Sequence, residues 1–450
     1  MDDTSNNIRQ RLRPRRNTST TAAAVIKEPG NNVAIDHETG TDCKSDTHVA
    51  TTAVTTETTI DIVDATPPFH TILVYGVMVV VLLYYLPTFE QIDEIATIQV
   101  ITQCQYFSFI SIYHIAIIRC MCTVFISIVV VQMIFNKKGW YITTPYLKES
   151  KLMKHVQHHM IGIKTLYPFT SWSFVLLGLY FALASYVTIQ AIWIQQKIHT
   201  STTTLEDAYH SYNITHRNVL RFTIVVWEIS APCTILIAIT VRYAMWPAAL
   251  RRIREELALL ETTKQQQQPT TTKSKSHPIT DSTSTTTPPQ RPSHSLNSYQ
   301  NMWMPNINVL LALVERCILT GIPVRYNEWT LAPLYGCIYV LFTWNMIYQY
   351  NDRKRYGPHF IYFFLDTTLP GYFCSYALIA LLLVLLAFYS LYCGIESILH
   401  YIDHTIVDPF LTIATDNHSN NHHDSNEYCY LVAHVSVVLL ICSFVMRFRD

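Results

Sequence analysis

Runs of about 20 mostly apolar residues recur along the chain between polar stretches, and this alternation constrains the fold more than any other feature. The runs fall near 70–87, 106–135, 171–195, 220–246, 306–322, 331–349, 372–399 and 429–446. A helix rises about 1.5 Å per residue, so about 20 apolar residues match the roughly 30 Å hydrocarbon core of a bilayer. A segment in that core must satisfy its own backbone N–H and C=O groups, which a helix does and a lone strand does not. The expected fold is therefore all-α, a polytopic transmembrane helical bundle. The fifth run is short and carries Glu315 and Arg316, so six to eight spans are expected.

Only 14% of the 450 residues are charged, against about 25% in soluble domains. Thirty-two Lys and Arg balance thirty-two Asp and Glu, which leaves no net charge to attract nucleic acid. The eleven glycines are few for a Gly-rich phosphate-binding fold. Ten of eleven cysteines lie within or beside apolar runs, where Cys behaves as a small buried hydrophobe. Only Cys104 and Cys429, near the expected outer interface, are placed for a disulfide. No cofactor is implied, and the partner implied is the lipid bilayer.

Residues 1–68 are rich in Thr, Ser, Asn and Asp, with Arg9, Arg11, Arg13, Arg15 and Arg16 clustered near the start. Too little apolar surface exists there to offset the entropy of ordering, so this reads as a disordered cytoplasmic tail. It lacks the basic-then-apolar pattern of a cleaved signal peptide, so the first apolar run reads as an uncleaved anchor. Residues 69–247 form a first membrane half of about four spans, and 303–450 a second. Between them, 248–302 opens with an amphipathic helix that places Leu250, Ile253, Leu257 and Leu260 on one face, its basic residues suited to anionic headgroups. A flexible Gln/Thr/Ser/Pro-rich linker follows.

Orientation follows from counting Lys and Arg between runs. The tail carries seven, 88–105 none, 136–170 six, 196–219 two, 247–305 seven, 323–330 one, 350–371 three, 400–428 none, and the end two. Rich and poor loops alternate, which places both termini in the cytoplasm. The sequons at Asn213 and Asn417 fall in the poor loops and are expected to be glycosylated. The expected location is the plasma membrane or an endomembrane.

Polar residues within apolar runs are functional candidates by default. These are His114 and Arg119 in the second run, Glu228 and, near its inner end, Arg242 in the fourth, Glu315 and Arg316 in the fifth, and His434 in the eighth. Adjacent residues of a helix point about 100° apart, so Glu315 and Arg316 should face different neighbours. Either Glu228 or Glu315 is expected to pair with Arg119. Such charges either lock helices together or line a polar pathway. Glu396, His400, Asp403 and His404 share one helical face through i,i+3 and i,i+4 steps. Carboxylate and imidazole at that spacing suit a divalent metal, and a polar helix end at the interface is the other reading.

The stretch Lys164-Thr-Leu-Tyr-Pro-Phe-Thr170-Ser-Trp172, leading to Tyr180-Phe181, resembles the start of a core span in the rolling stone-like membrane proteins. Asn306-Ile-Asn308 running to Glu315, then Ile322-Pro-Val324, Pro333-Leu-Tyr335-Gly336, Tyr339-Val-Leu-Phe342 and Ile361-Tyr362 through Leu365-Asp366, is similar to that family's later motifs in the same order. The family is similar in turn to the androgen-induced and FAR-type membrane proteins. That resemblance implies an intramembrane threonine hydrolase of fatty-acid esters, with Thr170 at the nucleophile's position and a lipid as ligand. Asn308 stands where the matching His would fall, and an amide hydrogen-bonds without acting as a general base. His155, His158 and His159 are the nearest replacements. Thr170 is equally suited to capping the helix it begins. Three classes of function remain in view: a non-enzymatic scaffold, adhesion or receptor-like protein, a lipid-ester hydrolase, and a transporter using the intramembrane charges.

Overall fold

The computed structural model describes residues 65–104, 106–107, 109–143, 147–151, 157–198, 204–245, 299–347, 360–402, 405 and 423–446, with seven positions between 247 and 262. The long helices are α1 (Phe69–Tyr84), α4 (Ile112–Phe135), α5 (Phe169–Ile198), α7 (Arg217–Ile239), α8 (Tyr299–Val314), α9 (Leu331–Met346), α10 (Phe373–Ile402) and α11 (His423–Val445). Short helices α2 (Phe89–Asp93), α3 (Ile98–Thr102) and α6 (Leu205–Thr215) lie between them. Each expected apolar run coincides with a long helix. Five of these helices, α4, α5, α7 with its π extension to Met245, α10 and α11, are long and apolar enough to cross a membrane. At 16 residues, α1, α8 and α9 each rise only about 24 Å, although α8 runs on through a π turn at Glu315–Leu319.

Three boundaries differ from expectation. Helix α4 begins at Ile112 rather than near 106, because His114 Nδ1 accepts from the Ser111 backbone N–H at 3.3 Å and sets the helix start there. Ala65, expected in the tail, is fully buried, and its carbonyl accepts from the Thr367 hydroxyl at 2.6 Å. The loop at 136–170 contains an antiparallel hairpin, β1 (Trp140–Thr143) with β2 (Gln157–Met160), in a register pairing Trp140 with Met160. Residues 1–64 and the apolar positions of the expected amphipathic helix lie outside the described residues. Arg251, Arg254, Glu255, Ala258, Leu259 and Thr262 are helical.

The solvent these helices are built for is legible on α4. Ile117, Met121, Val124, Ile128 and Val131 recur at three- and four-residue steps, each more than half exposed. The opposite stripe, with Ile115, Arg119, Cys122, Ile126 and Met133, is buried. The apolar stripe thus faces out and the charge faces in. Leaving five such side chains half in water forgoes on the order of 5 kcal/mol, an amount comparable with a domain's whole stability. In hydrocarbon that cost disappears. Val432, Leu439, Leu440 and Phe444 do the same on α11.

Helices α5 and α7 form the centre. Helix α5 packs on α4 and α7, and α7 also contacts α8, α9 and α10. Every residue of α7 from Ser230 to Ala238 is buried. Helix α1 lies on α9 and α10, held by Tyr75 Oη donating to the Cys337 carbonyl at 3.0 Å and by a 3.0 Å contact between the Thr71 and Ser375 hydroxyls. No disulfide joins Cys104 to Cys429.

The α4–α5 contact depends on Gly178. A Cβ there would sit 2.6 Å from Ile126 Cγ2, a branch methyl held close to its own backbone. Gly178→Val should therefore wedge the helices apart and destabilise the bundle by about 1–3 kcal/mol. Gly178→Val combined with Ile126→Ala should recover part of that loss. Chemical denaturation of the two variants in detergent measures the difference, and equal stability of Gly178→Val and wild type would refute the close contact.

The loops gather at two ends. At one, α2 meets the start of α7, α5 ends beside α6, and the 320–330 segment joins α8 to α9. At the other, Tyr339 Oη donates to the Tyr167 carbonyl at 2.9 Å, and Ser150 Oγ donates to Asp366 at 2.6 Å. The described parts of the Lys/Arg-rich loops 136–170 and 350–371 therefore share one end, and the described parts of the poor loops 88–105, 196–219 and 323–330 share the other.

Candidate functional site

Three polar clusters among the described residues converge on the segment from Glu315 to Glu328, which closes α8 and turns into α9. The first is built on Arg119, about two turns into α4 and fully buried. Its guanidinium is ion-paired with Glu315, equally buried. It also donates to the Ile101 carbonyl at 2.8 Å, to Thr188 Oγ1 at 2.7 Å and to Thr320 Oγ1 at 3.1 Å. Tyr180 and Thr320 donate to Glu315 Oε1 at 2.7 and 2.9 Å. Of the two expected acids, Glu315 is thus the partner of Arg119. Burying an ion pair is tolerable only when the remaining donors and acceptors are met, and here both groups are surrounded.

The second cluster holds Arg316. Its Nη1 donates to the Gly321 carbonyl at 2.6 Å and to Tyr106 Oη at 2.9 Å, and Nη2 lies 3.3 Å from Glu396. The Val324 N–H donates to the other Glu396 oxygen at 3.2 Å. His434, fully buried on α11, donates from Nδ1 to the Cys317 carbonyl at 2.7 Å and packs against the Tyr106 ring. Gly321 has φ +70°, and a Cβ there would meet the Tyr106 ring at 2.6 Å. Adjacent residues Glu315 and Arg316 do face different helices, one toward α4 and the other toward α10.

The third cluster surrounds Glu228, fully buried at mid-α7. One carboxyl oxygen accepts from the Arg325 backbone N–H at 3.2 Å and the other from Tyr389 Oη at 2.6 Å. The Glu328 carboxyl, also fully buried, interacts electrostatically with it. Arg325 bonds Glu328 through Nε at 3.1 Å, Glu94 through Nη1 at 2.9 Å, and the Gln91 carbonyl. Pro232 removes the N–H that would meet the Glu228 carbonyl in a regular helix. Trp227, the residue before Glu228, donates from Nε1 to the Ile322 carbonyl at 3.2 Å. Nearby, Arg221 grips Asp93 with two bonds of 2.6 Å. That guanidinium holds the Asp93 carboxyl below its usual range, outweighing the smaller opposing effect of burial.

The remaining candidates lie apart. His114 is exposed at the first turn of α4, where its ring caps Ser111. Thr170 stands in the first turn of α5, half-buried, and no hydrogen bond joins it to a histidine or carboxylate among the described residues. The helix start beside it is held instead by the Pro168 carbonyl, which accepts from the Ser171 and Trp172 N–H groups at 3.0 and 3.2 Å. Asn308 is buried on α8 with Oδ1 unpartnered among the described residues. His159 Nε2 is bound to the Lys138 carbonyl at 2.9 Å, and His155 lies outside the described residues. Of the expected metal face, Asp403 and His404 are likewise outside, and Glu396 is occupied by Arg316. Asn417 is outside as well. Asn213 Oδ1 accepts from the Ile98 N–H at 2.9 Å and its amide donates to Gln99 at 3.2 Å, tying α6 to α3.

The aromatic residues quoted from the family-like motifs come together. Trp172 packs on Tyr335, Tyr339 and Phe342 with centroid separations of 6.0, 5.3 and 4.7 Å. Tyr362 Oη accepts from the Phe169 N–H at 3.2 Å. This knot joins the start of α5 to α9 and to the 360–366 segment. No family model, curated protein or solved structure matches the chain.

Proposed function

We propose that this helical membrane protein is a non-enzymatic, multi-pass scaffold or receptor-like protein, similar to the rolling stone-like family, with both termini cytoplasmic. The observation that carries this reading is the pairing of its intramembrane charges. Arg119 is spent on Glu315, Arg316 on Glu396, and Glu228 is held by Tyr389 and the Arg325 N–H. A transporter would leave such groups facing a continuous polar path, whereas here they tie α4, α5, α7, α8 and α10 to one loop. The orientation is supported by the gathering of Lys/Arg-rich loops at one end, which the positive-inside rule assigns to the cytoplasm. The family-like motifs read here as the contacts of an aromatic knot.

A hydrolase needs a base within hydrogen-bonding reach of its nucleophile, directly or through one water. Thr170 makes no such bond among the described residues. Membranes expressing the full chain should therefore show no fluorophosphonate labelling that depends on Thr170. Labelling of wild type that vanishes in Thr170→Ala, with both proteins folded and inserted, would replace the scaffold by the lipid-ester hydrolase.

A further inference from the structure

Glu228 and Glu328 raise a problem of charge that the scaffold reading does not absorb. Both side chains are fully buried and interact electrostatically, and Arg325 binds both, its backbone N–H 3.2 Å from Glu228 and its guanidinium Nε 3.1 Å from Glu328. Glu328 Oε1 takes both bonds from Arg325, and Glu328 Oε2 has no donor among the described residues. On Glu228, one oxygen is used by the Arg325 N–H and the other by Tyr389 Oη. Two ionised carboxylates can only accept, so neither can satisfy the other. Like charges in contact away from water do not both ionise.

The groups facing the pair can be counted element by element. The segment after α8 supplies Arg325, the one cation among the described residues bonded to either acid. Helix α10 supplies the Tyr389 hydroxyl, with the Cys393 thiol one turn on. The short α2 and the residue after it supply the Gln91 carbonyl and Glu94, which is 68% exposed. With both acids ionised, the buried set of Glu228, Glu328 and Arg325 carries one net negative charge. One added proton neutralises it and supplies the donor that Glu328 Oε2 lacks.

We propose that Glu228 and Glu328 form a proton-binding site in which a single proton is held between the two carboxyl groups. Binding takes one proton from solvent and release returns it, with no other bond made or broken. Arg325, 22% exposed and bonded to the solvated Glu94, connects the pair to the end of the bundle bearing the Lys/Arg-poor loops. The site sits where α7, α10 and the 320–328 segment meet, so its protonation state is coupled to how that segment docks. This goes beyond the scaffold reading, since it gives the bundle a response to pH.

The folded protein then holds a proton that an unfolded chain releases above about pH 4.3. The unfolding constant of wild type should rise about tenfold per pH unit across the window above that value and below the pair's own release point. Glu328→Gln places an amide N–H where the proton would be and keeps Oε1 for Arg325. It should remove that slope while leaving stability near neutral pH close to wild type. The measurements are denaturant titrations of the full-length protein in detergent from pH 5 to 9, with infrared spectra at neutral pH. Wild type should show the C=O stretch of a protonated carboxyl, lost in Glu328→Gln and in Glu228→Gln. Parallel stability curves for wild type and Glu328→Gln would overturn the proposal. So would a wild-type spectrum without the protonated-carboxyl band, which needs no variant to fold, or a band unchanged in both variants.

Discussion

Replacing Arg119 by Met should destabilise the bundle by about 3–5 kcal/mol, the usual cost of removing one partner from a buried ion pair. The variant keeps most of the side chain's length but leaves Glu315 without its cation in a fully buried site. Tyr180 and Thr320 would still donate to it, which softens the loss without supplying a charge. It also strands the Ile101 carbonyl and Thr188 Oγ1, both of which accept from Arg119. Arg119→Lys should fall between, because an ammonium restores the charge while losing the planar fork that reaches four elements at once. The decisive comparison is Arg119→Met with Glu315→Gln in one chain, which removes the charge imbalance and should be more stable than Arg119→Met alone. Denaturation in detergent micelles or nanodiscs reads all four proteins. If Arg119→Met unfolds within about 1 kcal/mol of wild type, the pair is not what holds α4 to α8.

Why this cluster was half visible in the sequence is instructive. Arg119 and Glu315 stood out because a charge inside an apolar run has so few tolerable environments. That rule flags a residue without choosing its partner, and Glu228 was an equal contender. The choice is made by the crossing of α4 and α8, to which helical periodicity is blind. Tyr180, Thr188 and Thr320, which complete the site, are ordinary residues of a buried helix or loop and give no signal. Arg325 offered one, as the lone cation in a loop otherwise lacking Lys and Arg. Its neighbour Glu328, three residues on in the same short loop, carries no sequence signal and is fully buried.

The fold was legible to the extent that hydropathy sets it. All eight long helices coincide with apolar runs, since in lipid nothing but a helix can satisfy the backbone of such a segment. Their ends were less legible. Ser111 and His114 start α4 late through a local cap, and Ala65 is ordered by a contact with Thr367, about three hundred residues away. The β1–β2 hairpin was invisible because its strands are four residues long and carry polar His158 and His159. Thr170 illustrates the opposite error of emphasis: motif likeness singled it out, while the neighbouring Phe169 and Trp172 make the contacts that fix the helix start.

Trp227→Ala should cost about 3–5 kcal/mol and should also loosen the 320–325 segment. Trp227 is fully buried on α7, its ring 4.7 Å from Tyr180 and edge-on to Tyr392 at 6.3 Å. Truncation therefore opens a void between α5, α7 and α10, and the helices around it close only in part. The indole N–H adds a second effect. It donates to the Ile322 carbonyl, next to Gly321, whose positive φ and contact with Tyr106 leave that turn few alternative conformations. Trp227→Phe separates the two, keeping most of the ring volume while orphaning a buried acceptor at about 1–3 kcal/mol. Hydrogen exchange at Val324 and Arg325, whose N–H groups bond Glu396 and Glu228, reports the docking of the segment directly. Faster exchange there in Trp227→Phe, with exchange along α4 unchanged, is the expected outcome. If Trp227→Phe leaves those two amides as protected as in wild type, Trp227 fills space in the core without anchoring the segment on which the three polar clusters converge.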